Sequence, residues 1–103
     1  MRERRYIVVP SRLAEKDLGR LSAPDADKAM RALLALEDEP LRGKPLKGAL
    51  APARRIDFGL SGGWYRAAYV LDAETDSIVV FMVGPRGGFY EEATRRRQAL
   101  RRG

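Results

Sequence analysis

Residues 53–90 read ARRIDFGLSGGWYRAAYVLDAETDSIVVFMVGPRGGFY, and the fold is decided by how this stretch is parsed. It holds three runs rich in apolar, β-branched and aromatic residues, separated by Gly or Asp turn signals, which is the pattern of an antiparallel meander. In the run 54–58, Ile56 and Phe58 share one face while Arg55 and Asp57 share the other, because successive strand side chains alternate. Ser61, Gly62 and Gly63 make a turn. The run 64–71 then sets Trp64, Arg66 and Ala68 on one face and Tyr65, Ala67 and Tyr69 on the other. The run 78–83 is apolar on both faces, as expected of a central strand covered on both sides. Residues 84–88 break it. The segment 89–100 reads as a terminal helix, with Glu91 and Glu92 early and arginines late, matching the helix dipole.

Working outward, residues 6–9 form a short β-rich run stopped by Pro10, which cannot donate to a ladder. Ser11 is a good N-cap for a helix reaching Leu18, with Gly19 as its stop and with Leu13 and Leu18 facing inward. Ser22, Pro24, Asp25 and Asp27 mark a second helix start. Ala26, Met30, Leu33, Leu34 and Glu37 trace its helical spacing, and Pro40 ends it. Residues 41–52, rich in Gly and Pro, read as a loop whose Leu46 and Leu50 tuck against the core. The expected fold is therefore α+β: an N-terminal strand, a helical hairpin, an antiparallel β-meander and a C-terminal helix, in one domain over residues 1–103.

Composition narrows the chemistry. With 45% hydrophobic and 33% charged residues the chain falls in the globular class, and no apolar run approaches the roughly 20 residues of a membrane span. The start MRERRYIVVP lacks the hydrophobic stretch of a signal peptide, so the expected location is cytoplasmic, with no membrane partner. The chain has no Cys and no His. Disulfides, thiolate nucleophiles, imidazole acid-base groups and Cys or His metal ligands are thereby excluded, and neither metal nor cofactor is expected. A formal charge of +6 favours an anionic partner, nucleic acid being the commonest. The cations gather at Arg2, Arg4 and Arg5, at Arg42, Lys44, Lys47, Arg54 and Arg55, and at Arg95, Arg96, Arg97, Arg101 and Arg102. No phosphate loop of the GxxxxGK[ST] kind occurs.

Arg66 is the most informative residue. A mid-strand arginine among apolar neighbours needs a partner or an open groove. Asp57 on the adjacent strand is the structural partner, and a phosphate, which the planar guanidinium fork suits, is the functional one. Arg86 follows a strand end and Tyr90 lies one helical turn further, so both fall near the same end of the sheet. For Tyr90 the alternative is packing on the core. The late arginines, including Arg95 and Arg96, suit either a solvated helix face or contacts to nucleic acid.

These elements resemble the RelE/ParE superfamily of small bacterial toxins from toxin-antitoxin pairs. The likeness rests on the two N-terminal helices, KPLKGAL at 44–50, the strand bearing Arg55, GWYRAAYVLD at 63–72 and VGPRGGFYEEA at 83–93. In its ribonuclease branch the resemblance implies cleavage of messenger RNA on the ribosome, leaving a 2′,3′-cyclic phosphate and a 5′-hydroxyl, without metal. It also implies an antitoxin protein as partner. By match to the family motif, Arg55 acts near the 2′-hydroxyl, Arg66 stabilises the phosphate, Arg86 donates the proton and Tyr90 stacks on or orients the base. Lys44, Lys47, Arg54, Arg95 and Arg96 would contact RNA. Asp57 departs from the pattern, since the ribonuclease branch often has a lysine there. A carboxylate repels phosphate, although it can accept the 2′-hydroxyl proton, a task for which Arg55, a guanidinium that stays protonated, is unsuited. The alternatives are the superfamily's branch of DNA gyrase poisons and an inactive member that binds only RNA or protein.

Overall fold

A computed structural model describes residues 5–102; for residues 101 and 102 only the backbone is described. Arg2, Arg4 and the side chains of Arg101 and Arg102 lie outside the described residues. The chain runs β1 (Ile7–Pro10), α1 (Arg12–Gly19), α2 (Ala23–Leu34), β2 (Lys44–Pro45), β3 (Arg54–Leu60), β4 (Gly63–Asp72), β5 (Ser77–Pro85) and α3 (Phe89–Arg102), with single 3-10 turns at Ala35–Glu37 and Gly48–Leu50. Among the described residues the strands form one five-stranded sheet in the order β1-β5-β4-β3-β2. The meander of β3, β4 and β5 is antiparallel throughout, as the sequence pattern predicts. It is extended on one edge by β1, which pairs parallel to β5.

Both helix starts follow from their caps. The Ser11 hydroxyl accepts from the Ala14 N–H at 3.2 Å and the Ser22 hydroxyl from the Asp25 N–H at 3.3 Å, satisfying donors that the first turn leaves open. Which residues turn inward differs from the sequence expectation. Ala14 and Asp17 are the buried positions of α1, while Leu13 is exposed. In α2 the buried stripe is Asp25, Ala29 and Leu33, continuing to Leu36, and Leu34 faces water. The cause in α2 is rotational: Asp25 accepts from the Ser61 N–H and hydroxyl at 3.2 and 2.6 Å, which fixes that face of the helix against the β3–β4 turn.

The sheet is covered on both faces. On one, Ala67, Tyr69, Ile78, Val80 and Val83 pack against Ala14, Leu33 and Leu36 of the helical hairpin. On the other, Ala68, Phe81 and Met82 pack against Phe89 and Ala93 of α3 and against Leu50 and Ala53. Phe81 and Met82, consecutive in sequence, both belong to the α3 side because Tyr69 pairs with Val80 while Ala68 pairs with Met82, leaving one extra residue in β5. Leu50 is buried and Leu46 partly buried, as expected. The loop 41–52 is more ordered than its composition suggests, since Lys44–Pro45 adds a short edge strand to β3.

Tyr69 ties that segment to the core. Its side chain is fully buried, its hydroxyl donates to the Pro40 carbonyl at 2.8 Å and accepts from the Gly43 N–H at 2.9 Å, and burial pushes its pKa up. The approach is close enough that a Cβ on Gly43 would sit 2.6 Å from the hydroxyl oxygen, so only glycine fits there. Tyr69→Phe strands both backbone groups in the interior and is expected to cost about 1–3 kcal/mol. Denaturant titration checks this, and an unchanged midpoint would contradict it. Among the described residues no helix is long and apolar enough to cross a membrane.

Candidate active site

The α3 face of the sheet is left open beyond Phe89, over the β3–β4 end. Strand alternation puts Arg55 and Asp57 of β3 and Trp64 and Arg66 of β4 on this open face, because Ile56, Phe58 and Tyr65 pack on the opposite core. The register sets Asp57 directly across from Arg66. Asp57 then bridges two guanidiniums: it accepts from Arg55 Nη1 at 2.6 Å, and its other oxygen lies 3.2 Å from Arg66 Nε. The second contact is an ion pair without hydrogen-bond alignment, so the buried Arg66 Nε has no hydrogen-bond partner. Side-chain exposures of 18% for Arg55, 13% for Arg66 and 40% for Asp57 show that the carboxylate is the member facing water. Its hydrogen bond raises the Arg55 pKa further above the ordinary guanidinium value, against an opposing effect of burial.

Tyr90 completes this layer. Phe89 takes the core position and Tyr90 stays exposed, with the Arg66 guanidinium carbon 5.0 Å from its ring centre, a cation–π contact. The two rings meet edge to face at 5.7 Å. Arg86 approaches from the turn after β5, where its N–H donates to the Trp64 carbonyl at 3.2 Å. Three adjoining recesses join these groups. One of about 220 Å³ is lined by Arg42, Lys44, Arg55 and Asp57. The next, about 360 Å³, is lined by Arg55, Asp57, Trp64, Tyr65, Arg66 and Arg86. The third, about 680 Å³, is lined by Arg66, Arg86, Phe89, Tyr90 and Glu91 with Gly87 and Gly88. Arg66 is thus paired with an acid and also shares two recesses with Arg86.

The five candidate catalytic residues, Arg55, Asp57, Arg66, Arg86 and Tyr90, therefore line two recesses that share Arg66 and Arg86 and together form a groove. The candidate RNA contacts separate. Lys44 lines the groove, and Lys47 stands exposed at the start of the Gly48–Leu50 turn. Arg54 points to the other side of β3 and donates to the carbonyls of Leu41 and Gly43 at 3.1 and 2.8 Å. Arg96 is held by Asp17, and Arg95 pairs with Glu92 on the surface. Among the lining residues outside the candidate set are Arg42 and Trp64. Arg42 was visible only as one member of a cationic cluster, and Trp64 as a face-mate of Arg66.

The chain matches the family model described as ParE-like toxin of type II bacterial toxin-antitoxin system over residues 8–94. The toxin-antitoxin complex RelBE2 from Mycobacterium tuberculosis is similar at 31% identity and a TM-score of 0.69, covering 80% of this chain and 99% of that one. A free-state mutant of E. coli toxin RelE shares the fold at 22% identity and a TM-score of 0.71, covering 89% of this chain and 97% of that one. The same mutant in complex with an antitoxin RelB peptide gives 23% and 0.66, covering 85% and 93%. No curated protein matches the chain. The family match spans most of the sequence and agrees with the sheet order and helix placement, so the chain belongs to the ParE-like toxins of type II bacterial toxin-antitoxin systems.

Proposed function

We propose that this toxin is a ribosome-dependent messenger RNA endoribonuclease, metal-independent, with an antitoxin protein that covers the basic groove. The observation that supports it most is the placement of Arg66 between Asp57 and Tyr90, with Arg55 and Arg86 lining the same recess. In-line attack of the 2′-oxygen on the adjacent phosphorus forms a 2′,3′-cyclic phosphate and breaks the bond to the 5′-oxygen. Asp57 takes the 2′-hydroxyl proton. Arg66 and Arg55 stabilise the extra negative charge on the phosphorane, and Arg86 gives a proton to the departing 5′-oxygen. An alkoxide is more basic than a neutral guanidine, so that last transfer runs downhill. Tyr90 orients a neighbouring base. The complexes of similar toxins with RelB antitoxins support the partner assignment.

Expression of the toxin with mapping of message 5′-ends, run beside a DNA supercoiling assay, tests this function. Codon-phased cuts bearing 5′-hydroxyls are expected. Intact messages with inhibited gyrase would instead establish the second reading, a gyrase poison, which the ParE-like family model and the acidic Asp57 favour.

Asp57 gives a further expectation. Its carboxylate occupies the guanidiniums that a phosphate needs, so Asp57→Asn is expected to tighten binding of single-stranded RNA by roughly tenfold, the effect of one like-charge contact at a partly exposed site. Cleavage per bound complex should fall because the base is lost. Filter binding and single-turnover kinetics separate the two, and weaker binding would contradict the competing-charge role.

A further inference from the structure

Trp64 is the chain's single tryptophan, and it is 61% exposed. Large aromatic side chains are normally spent on cores or on interfaces, which makes its position worth explaining. It is the second residue of β4, following Gly63, whose φ of +128° is tolerated by glycine. Its carbonyl accepts from the Arg86 N–H, so the backbone beneath the indole is fixed to the loop that carries Arg86. It shares a recess with Arg55, Asp57, Arg66 and Arg86. The Tyr90 ring, itself half-exposed, contacts Arg66 and lines the neighbouring recess with Arg66 and Arg86. The two recesses share Arg66 and Arg86, and each carries one exposed aromatic ring, Trp64 in one and Tyr90 in the other.

We infer that Trp64 is a base-stacking platform for single-stranded RNA, holding the nucleobase on the side of the gripped phosphate opposite to Tyr90. This rests on the ribonuclease reading and adds a binding subsite to it. Every nucleobase presents a π-face, and stacking on an aromatic side chain tolerates sequence while fixing the strand's direction. The guanidiniums beside the indole match phosphates, which favours a nucleic acid strand over an apolar peptide as the occupant. With a phosphate at Arg66 and Arg86, the two flanking bases extend toward opposite rings.

Having one tryptophan makes the test direct, because indole fluorescence reports Trp64 alone. The probe is a 3′-fluorescein hexaribonucleotide with 2′-O-methyl groups that block cleavage, titrated at low salt. Anisotropy reports binding and indole emission reports stacking. Both are expected to follow one isotherm, while an oligomer of abasic sites with the same phosphates binds without quenching. Trp64→Ala is expected to lose about tenfold or more in affinity, as for other base–aromatic stacks, with Trp64→Phe retaining most of it. The slope of affinity against salt should stay unchanged in both, since no phosphate contact is removed. Binding seen by anisotropy with unchanged indole emission and unchanged Trp64→Ala affinity overturns the inference and leaves the nuclease reading standing. Quenching by an acidic peptide but not by the RNA probe overturns it in favour of a protein contact. Absence of any RNA binding removes both.

Discussion

Arg86→Ala and Arg66→Ala are each expected to slow message cleavage by about 10²- to 10³-fold, the usual loss when one preorganised charge donor is taken from a transition state. The effect is large because the site has few ways to compensate. In the proposed reaction, with no Cys or His in the chain, the charge that builds on the phosphorane and on the 5′-oxygen falls to the few cations lining the groove. Arg66 is the better buried of the two, and its Nε lacks a hydrogen-bond partner. Arg66→Lys keeps the charge but loses the planar fork, and an intermediate loss is expected. Growth arrest should be relieved by both alanine variants while thermal unfolding shows that they stay folded. Single-turnover cleavage at wild-type rate in either variant would remove that arginine from the mechanism.

The second large effect is on stability. Arg96→Ala is expected to destabilise the fold by about 3–5 kcal/mol, because it leaves the buried Asp17 carboxylate with only the exposed Arg20, 4.0 Å away, as counter-charge. The pair closes a gap in the sheet. β1 pairs with β5 only as far as Val80, so the next backbone groups of β5 have no strand beside them on that edge. Asp17 from α1 accepts from the Val83 N–H at 2.9 Å, and Arg96 from α3 donates to the Phe81 carbonyl at 3.2 Å. The two side chains then join each other through contacts of 2.6 and 3.1 Å, clasping the two helices around the exposed edge. Asp17 raises the Arg96 pKa, and Glu92 adds a second hydrogen bond. Arg95→Ala is the control, since its pair with Glu92 is on the surface and exposed pairs contribute about 0–1 kcal/mol. Against a typical total of about 5–15 kcal/mol, the Arg96 loss is a sizeable share. Chemical denaturation of the two variants compares them directly, and equal midpoints would contradict the clasp.

Local signals in the sequence were the dependable ones. Ser11 and Ser22 cap the helices they were expected to cap, and the alternation of Ile56 and Phe58 against Arg55 and Asp57 survives in the structure because each strand of the meander pairs with its sequence neighbour. Non-local features were hidden. The parallel pairing of β1 with β5 joins segments about seventy residues apart and leaves no mark in either run. The extra residue at Phe81 and Met82 is masked because every side chain in that run is apolar. Asp17 and Arg96 each read as surface charges on a helix, and their partnership depends on both helices reaching the same sheet edge. For the same reason Arg96 read like a nucleic-acid contact, while Arg42 and Trp64 were marked only by a cationic cluster with Arg55 and by a strand face shared with Arg66. The Asp57 pairing was legible, since adjacent antiparallel strands with these alternations bring Arg66 across from it.

In the proposed reaction several guanidiniums from separate elements grip one phosphate. Arginine Nε NMR resonances, followed while a cleavage-blocked RNA oligonucleotide is added, test that gathering directly. The expected result is that Arg55, Arg66 and Arg86 shift together along a single isotherm. Independent isotherms, or an Arg86 signal that stays still while Arg66 remains paired with Asp57, would contradict it.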